Sequence, residues 1–187
     1  MQVRPEGHID ANSGPEPRVR EIYFAAGCFW GAEKFFKLVE GVVETEVGFA
    51  NGNTPDPTYK EVYTDTTGYA ETVRVRFDSE VVSVDDLAGL FFKIIDPFSV
   101  NKQGEDEGTR YRTGVYYADA ADGERVESVI SQLEKTAGRP FAVERMPLRN
   151  FYPAEEMHQD YLDKNPGGYC HLSPAFFELA RSFKSRK

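Results

Sequence analysis

An α+β fold is what the sequence predicts, and three observations predict it. Several short runs alternate apolar and polar residues with period two, other runs repeat apolar residues at i, i+3, i+4 and i+7, and the two kinds interleave along the chain. Val19 to Ala26 reads as a buried strand, and Ala32, Phe35, Phe36 and Val39 then mark one face of a helix that Gly41 stops. Val43, Thr45, Val47 and Phe49 alternate as a second strand. A long loop rich in Gly, Pro and Asn runs from there through Gly68, and such length without periodicity points to a working loop.

The third strand is ETVRVRF, with Glu71, Val73, Val75 and Phe77 on one face and Thr72, Arg74 and Arg76 on the other. The alternation turns Glu71 toward the core. Ser83, with Asp86 three positions on, caps a second helix that buries Leu87, Leu90, Phe91 and Ile94. After the polar loop NKQGEDEGTRYR, the run TGVYYA is a fourth strand, a third helix buries Val126, Val129, Ile130 and Leu133, and FAVERM is a fifth strand. The first six elements of this β-α-β-β-α-β-α-β order match a ferredoxin-like α/β sandwich. A C-terminal extension follows, with one short helix around Pro153 to Asp163 and another capped by Ser173 with Pro174 in its first turn.

A chain of 187 residues, 40% hydrophobic and 28% charged, fits one globular domain over residues 19–187. Residues 1–18 contain three prolines, several charges and no apolar run, and read as a disordered leader. The net charge of −9 argues against nucleic acid or an anionic membrane as partner, since both would repel it. No stretch is long enough to span a bilayer, and two cysteines are too few for a disulfide framework, so a reducing compartment such as the cytoplasm is expected. The expected oligomeric state is a monomer.

In GCFWG, residues 27 to 31, Cys28 falls at the seam between the first strand and the first helix. Unpaired backbone N–H groups and the positive end of the helix dipole converge there, which favours thiolate. Phe29 and Trp30 beside a nucleophile make a receptor for a small apolar group such as a methyl. Acyl transfer would need a histidine base, from His8, His158 or His171, of which His158 shares a helical face with Ala154, Met157 and Tyr161. Zinc collected by Cys28, His158, Cys170 and His171 is a third reading, although no short-spaced ligand pair supports it.

The segments GCFWG, TPDPTY, TGYAETV, NKQGEDEGTRYR and NPGGYCH, in that order, resemble the A-type peptide methionine sulfoxide reductases over nearly all of Arg20 to Ser173. The resemblance implies reduction of the S epimer of methionine sulfoxide, free or in oxidised proteins, with no bound cofactor or metal. It implies Cys28 as nucleophile, Phe29 and Trp30 as the rings that hold the substrate methyl, and Glu71 as the acid. Tyr59 and Tyr111 match the hydroxyls around the sulfoxide oxygen, Asp106 a further polar anchor, and Cys170 the resolving cysteine. The chain departs from the family pattern at Tyr69, where histidine is more usual, and at ANG, residues 50 to 52, where AGG is common. No cysteine follows Cys170, so the Cys28 to Cys170 disulfide would be reduced directly by an external dithiol, which the resemblance implies is thioredoxin.

These residue types suit such a reaction. Thiolate attack on a sulfoxide sulfur needs the oxygen protonated as its bond to sulfur breaks, and burial of a carboxyl raises its pKa toward the range of a proton donor. A sulfenic acid left on Cys28 would condense with a second thiol, and Cys170 is the other one in the chain.

Overall fold

The structure, a computed structural model, describes residues 18–186. Of the expected leader, residues 1–17 lie outside the described residues, while Arg18 pairs with Asp78 at 2.7 Å. The chain forms β1 (Val19–Ala26), α1 (Phe29–Lys37), β2 (Val42–Ala50), α2 (Tyr59–Tyr63), β3 (Ala70–Asp78) and α3 (Val84–Lys93). There follow β4 (Lys102–Gln103), β5 (Asp106–Glu107), β6 (Thr113–Tyr117), α4 (Ala120–Ala137), β7 (Glu144–Pro147), β8 (Phe151–Pro153), α5 (Tyr161–Lys164) and α6 (Pro174–Ser182).

Six strands make one sheet in the order β7-β6-β1-β3-β2-β8. Its four central strands, β6-β1-β3-β2, have the order of the split β-α-β-β-α-β unit, so the ferredoxin-like expectation holds. β7 joins β6 in parallel after the α4 crossover, and β8 pairs antiparallel with β2 at the opposite edge. Phe24, Val47, Val73 and Val75 line the face that receives Phe35 and Phe36 from α1 and Leu87 and Phe91 from α3. The Phe24 ring stacks on Phe36 at 4.6 Å and on Phe91 at 5.2 Å. On the reverse face Tyr23, Ala25, Ala70 and Tyr116 are covered by Met146, Leu148 and Phe151.

The capping box of α3 forms as expected, with Ser83 Oγ accepting from the Asp86 N–H and the Asp86 carboxylate accepting from the Ser83 N–H. Four sequence expectations need correction. Val43 is 56% exposed instead of inward, because the pairing of β2 with β3 shifts register between Val42 and Glu44 and reverses the alternation there. The loop after β2 contains α2, whose box of Thr58 and Glu61 is the T-x-x-E signal within the chain. The fifth strand begins only at Glu144.

The fourth correction concerns Pro153 to Asp163, which is not one helix. It holds the end of β8, a 3₁₀ turn at Glu156–His158, Asp160 at φ 53° and then α5. The Gln159 side chain accepts from the Val47 N–H at 2.9 Å and donates to the Val47 and Ala154 carbonyls at 2.8 and 3.0 Å. These bonds tie the segment to β2 at Val47 and replace a helical turn. Ser173 does stand at the N-cap of α6 with Pro174 at its first position, yet its side chain makes no capping bond.

Tyr69 is 1% exposed and its hydroxyl donates to the Thr54 carbonyl, so it fastens the loop after β2. A Cβ on Gly52 would come within 2.2 Å of that ring, and neighbouring Asn51 has φ 55°. Gly52→Ala is therefore expected to destabilise the fold by about 1–3 kcal/mol, the usual range for overpacking. A urea midpoint equal to that of the unchanged protein would contradict this packing.

Candidate active site

Cys28 is the N-cap residue of α1 and is 6% exposed. Gly27 before it has φ +77°, and a Cβ there would lie 2.8 Å from Gln103 Cβ, so the chain turns from strand to helix beneath the β4–β5 hairpin. Gln103 holds that hairpin down by accepting from the Asp96 N–H at 2.9 Å and donating to the Asp96 carbonyl at 3.0 Å. Pairing of Gln103 with Asp106 then brings Asp106 over the thiol.

Glu71 is 1% exposed and accepts a hydrogen bond from the Phe29 N–H at 3.1 Å through Oε1. Its second oxygen, Oε2, is buried with no hydrogen-bond partner. Burial pushes this carboxyl up to about 8, against the Phe29 N–H and the Arg110 guanidinium, which favour the anion. A group in that state holds its proton at neutral pH and offers it through an oxygen otherwise uncommitted.

The thiol differs from its sequence expectation. Burial, and next the charge Glu71 would carry if ionised, push Cys28 well above the ordinary thiol range, and the Trp30 N–H opposes them only in part. The helix N-terminus is outweighed by desolvation, and the resting site holds a thiol. With Glu71 neutral, the second of the raising causes drops out.

Tyr59 opens α2, and Tyr111 ends a 3₁₀ turn that begins at Thr109. Both phenols are pushed up by burial and then by the charge of Glu71, so both keep their protons as donors. The Tyr111 turn is held by Asp65, which accepts from the Arg110 N–H at 3.1 Å and the Thr109 hydroxyl at 3.2 Å. Arg110, 8% exposed, lies over the Tyr63 and Tyr111 rings at 4.1 and 4.4 Å.

Phe29 is 1% exposed, against Phe49 at 5.7 Å and Tyr59 at 6.3 Å. Trp30 stacks on Tyr161 at 3.8 Å and donates from Nε1 to His158 Nδ1 at 3.2 Å. Trp30, Tyr59, Met157, His158 and Tyr161 line an apolar cleft of about 390 Å³. His158 does not share a helical face with Ala154, Met157 and Tyr161, since Met157 is 64% exposed while His158 is 3% exposed at the end of a 3₁₀ turn. Its Nδ1 is committed to Trp30 and burial lowers its pKa, so it is a neutral packing partner and no base for Cys28. His171, in contrast, has a ring nitrogen within 4.8 Å of both Cys28 Sγ and an Asp106 oxygen.

Cys170 is a free thiol, and its Sγ lies 3.0 Å from where a Gly31 Cβ would be, one helical turn along α1 from Cys28. A side chain at residue 31 would stand in its path. All eight site residues read from the sequence thus gather around the start of α1. Arg110, Asp65 and Tyr161 have no part in the sequence reading of the site, and His158 and His171 enter it only as the base of acyl transfer or as zinc ligands, although Arg110 and His171 stand beside Tyr111 and Cys170 in the segments that carry the resemblance.

A buried thiol beside a protonated carboxyl, with a second thiol one turn away, belongs to an enzyme that reduces substrates through its own cysteines. The family described as Peptide methionine sulfoxide reductase matches residues 20–186. This chain belongs to that family. It is 50% identical over 163 residues to the peptide methionine sulfoxide reductase MsrA of Lachnoclostridium phytofermentans, covering 87% of this chain and 98% of that protein. Among solved structures, methionine sulfoxide reductase A of Corynebacterium diphtheriae is similar with a TM-score of 0.77 and 39% identity over 83% of this chain and 79% of that one. Reduced Mxr1 of Saccharomyces cerevisiae gives a TM-score of 0.77 and 37% identity over 82% and 89%. Mxr1 in complex with Trx2 shares the fold, with a TM-score of 0.56 and 23% identity over 81% and 91%.

Because Glu71 is protonated below its pKa, the donor form should be full at pH 6 and lost as pH rises through about 8. Difference infrared spectroscopy should show a protonated-carboxyl C=O band that titrates in that window and is absent in Glu71→Gln. An ionised Glu71 at pH 6 would refute the proton-donor reading.

Proposed function

We propose that this chain carries out its family's reduction of methionine sulfoxide with Cys28 as nucleophile and Glu71 as acid, acting on the S epimer. The observation that carries the reading is the buried, unpartnered Oε2 of a protonated Glu71 whose other oxygen is tied to the residue after Cys28. The Cys28 sulfur attacks the sulfoxide sulfur to form a sulfur–sulfur bond, and that bond and the original sulfur–oxygen bond then break as the oxygen, protonated by Glu71, bonds to the Cys28 sulfur. The products are methionine and a Cys28 sulfenic acid, with the thiol proton replacing the one Glu71 lends. Tyr59 and Tyr111 donate to the oxygen as charge develops on it, and Phe29 and Trp30 hold the apolar methyl.

Cys170 then attacks the Cys28 sulfenic acid, forming the disulfide and releasing water. An external dithiol returns both cysteines to thiols by exchange, and its own pair becomes the disulfide. Thioredoxin is the reductant this reading assigns. It rests on the family resemblance and on the Trx2 complex of Mxr1. Residues 19–187 act as one catalytic domain, monomeric, in the cytoplasm. Among the described residues no helix is long and apolar enough to cross a membrane.

Three variants test the assignments. Cys28→Ser should abolish turnover. Cys170→Ser should still release about one equivalent of methionine and leave a sulfenic acid on Cys28 that dimedone traps, visible by mass spectrometry. Glu71→Gln should lower kcat/KM by about 10²–10⁴-fold, the range supplied by a positioned general acid, while thiol alkylation still finds both cysteines. Acyl transfer predicts instead an acyl adduct on Cys28 that His171→Ala abolishes, and such an adduct without sulfenic acid would overturn the reductase mechanism.

A further inference from the structure

His171 has no part in the reduction as derived above. Its ring lies in a slot between two glycines, with Nε2 3.7 Å from a Cβ built on Gly27 and Nδ1 3.4 Å from one built on Gly31. Both ring nitrogens are shielded from solvent and neither makes a hydrogen bond of good geometry, although the Ala26 carbonyl stands at the ring as an acceptor. One nitrogen, Cys28 Sγ and an Asp106 oxygen lie within 4.8 Å of one another. Tyr169 donates to Asp106 Oδ2 at 3.1 Å, which orients the carboxylate and leaves Oδ1 open.

We propose that Cys28, Asp106 and His171 form a binding site for a single zinc-class divalent cation, one that holds the reductase in a reversible, inactive state. Zinc takes thiolate at about 2.3 Å and imidazole or carboxylate at about 2.0–2.2 Å, which puts tetrahedral ligand atoms roughly 3.5 Å apart. The three side chains need to close by only about 1 Å, a small rotation for Asp106 on its hairpin. A thiolate, an imidazole and a carboxylate select zinc or cadmium over magnesium or calcium, which prefer oxygen alone. Three protein ligands leave one position for water. The Ala26 carbonyl and the Tyr169 hydroxyl stand where outer partners of metal-bound histidine and carboxylate usually do.

Binding is a proton exchange with no change of oxidation state. Cys28 gives up its thiol proton to solvent and its sulfur pair to the metal. His171 is held neutral by burial, so it has no proton to lose before it ligates. The metal then occupies the sulfur pair that would attack the sulfoxide.

The test uses reduced full-length protein and zinc chloride in competition with a chromophoric chelator. One equivalent should bind per chain, with release of about one proton and slowed alkylation of Cys28. Cadmium should give a thiolate charge-transfer band that Cys28→Ser removes. His171→Ala should weaken zinc at least about tenfold, the lower end of what loss of a metal's supporting partner costs. Asp106→Ala should do the same and decides the matter if the histidine variant fails to fold by circular dichroism. Unchanged affinity in a folded variant overturns the proposal. So does zinc lost in Cys170→Ser but kept in His171→Ala, which would assign a dithiol clamp. These readouts are of binding, so they stand apart from whether Cys28 turns over sulfoxide.

Discussion

Antiparallel pairing of β1 with β3, with Phe24 opposite Val73, brings the strand that ends before Cys28 alongside the strand that carries Glu71 as its second residue. The register does the placing. Two residues beyond Phe24 and two residues before Val73 lie Ala26 and Glu71, so the carboxyl emerges on the core face beneath the start of α1. A slip of one residue would send Glu71 to the other face and part it from the Phe29 N–H. Phe24, packed between Phe36 and Phe91, and Val73 in the same core make that slip expensive, since it would expose the whole apolar set of both strands.

Burial then sets the protonation state of everything near the thiol. The same low-dielectric surroundings raise Cys28, Glu71, Tyr59 and Tyr111 together and lower His158 and His171, so the site rests with its protons in place and little net charge. The Phe29 N–H and the Arg110 guanidinium oppose this at Glu71, and the Arg110 charge is shared with Asp65. A resting thiol is inert compared with a thiolate, and a neutral carboxyl is a donor compared with a carboxylate. In the mechanism proposed above, substrate meets a site in which proton transfer and sulfur attack are coupled, with the proton of the thiol available to replace the one Glu71 gives.

Much of this was legible in the chain because it follows from local periodicity. Val73, Val75 and Phe77 fix the phase of β3, and Glu71 two residues before Val73 inherits the inward face. Ser83 and Asp86 announce their helix by a reciprocal cap that needs no tertiary contact. What failed did so where distant side chains decide the local backbone. Gln159, bonded to Val47, breaks the expected helix around Pro153 to Asp163, and the shift between Val42 and Glu44 turns Val43 outward. Period-two reasoning holds only while the pairing count stays one to one.

The chain by itself determined the ferredoxin-like order of elements, the inward-facing glutamate and the thiol at a strand-to-helix seam, because each rests on the spacing of neighbours along one backbone. Only the tertiary structure decided that the thiol keeps its proton, since desolvation depends on what covers a group and no spacing records that. It alone also brought His171 and Cys170 to the glycines on either side of residues 28–30, and Asp106 to the Cys28 thiol. Those meetings span about 75 to 145 positions of sequence, and they are fixed by how a hairpin and a C-terminal segment fold over one turn of helix.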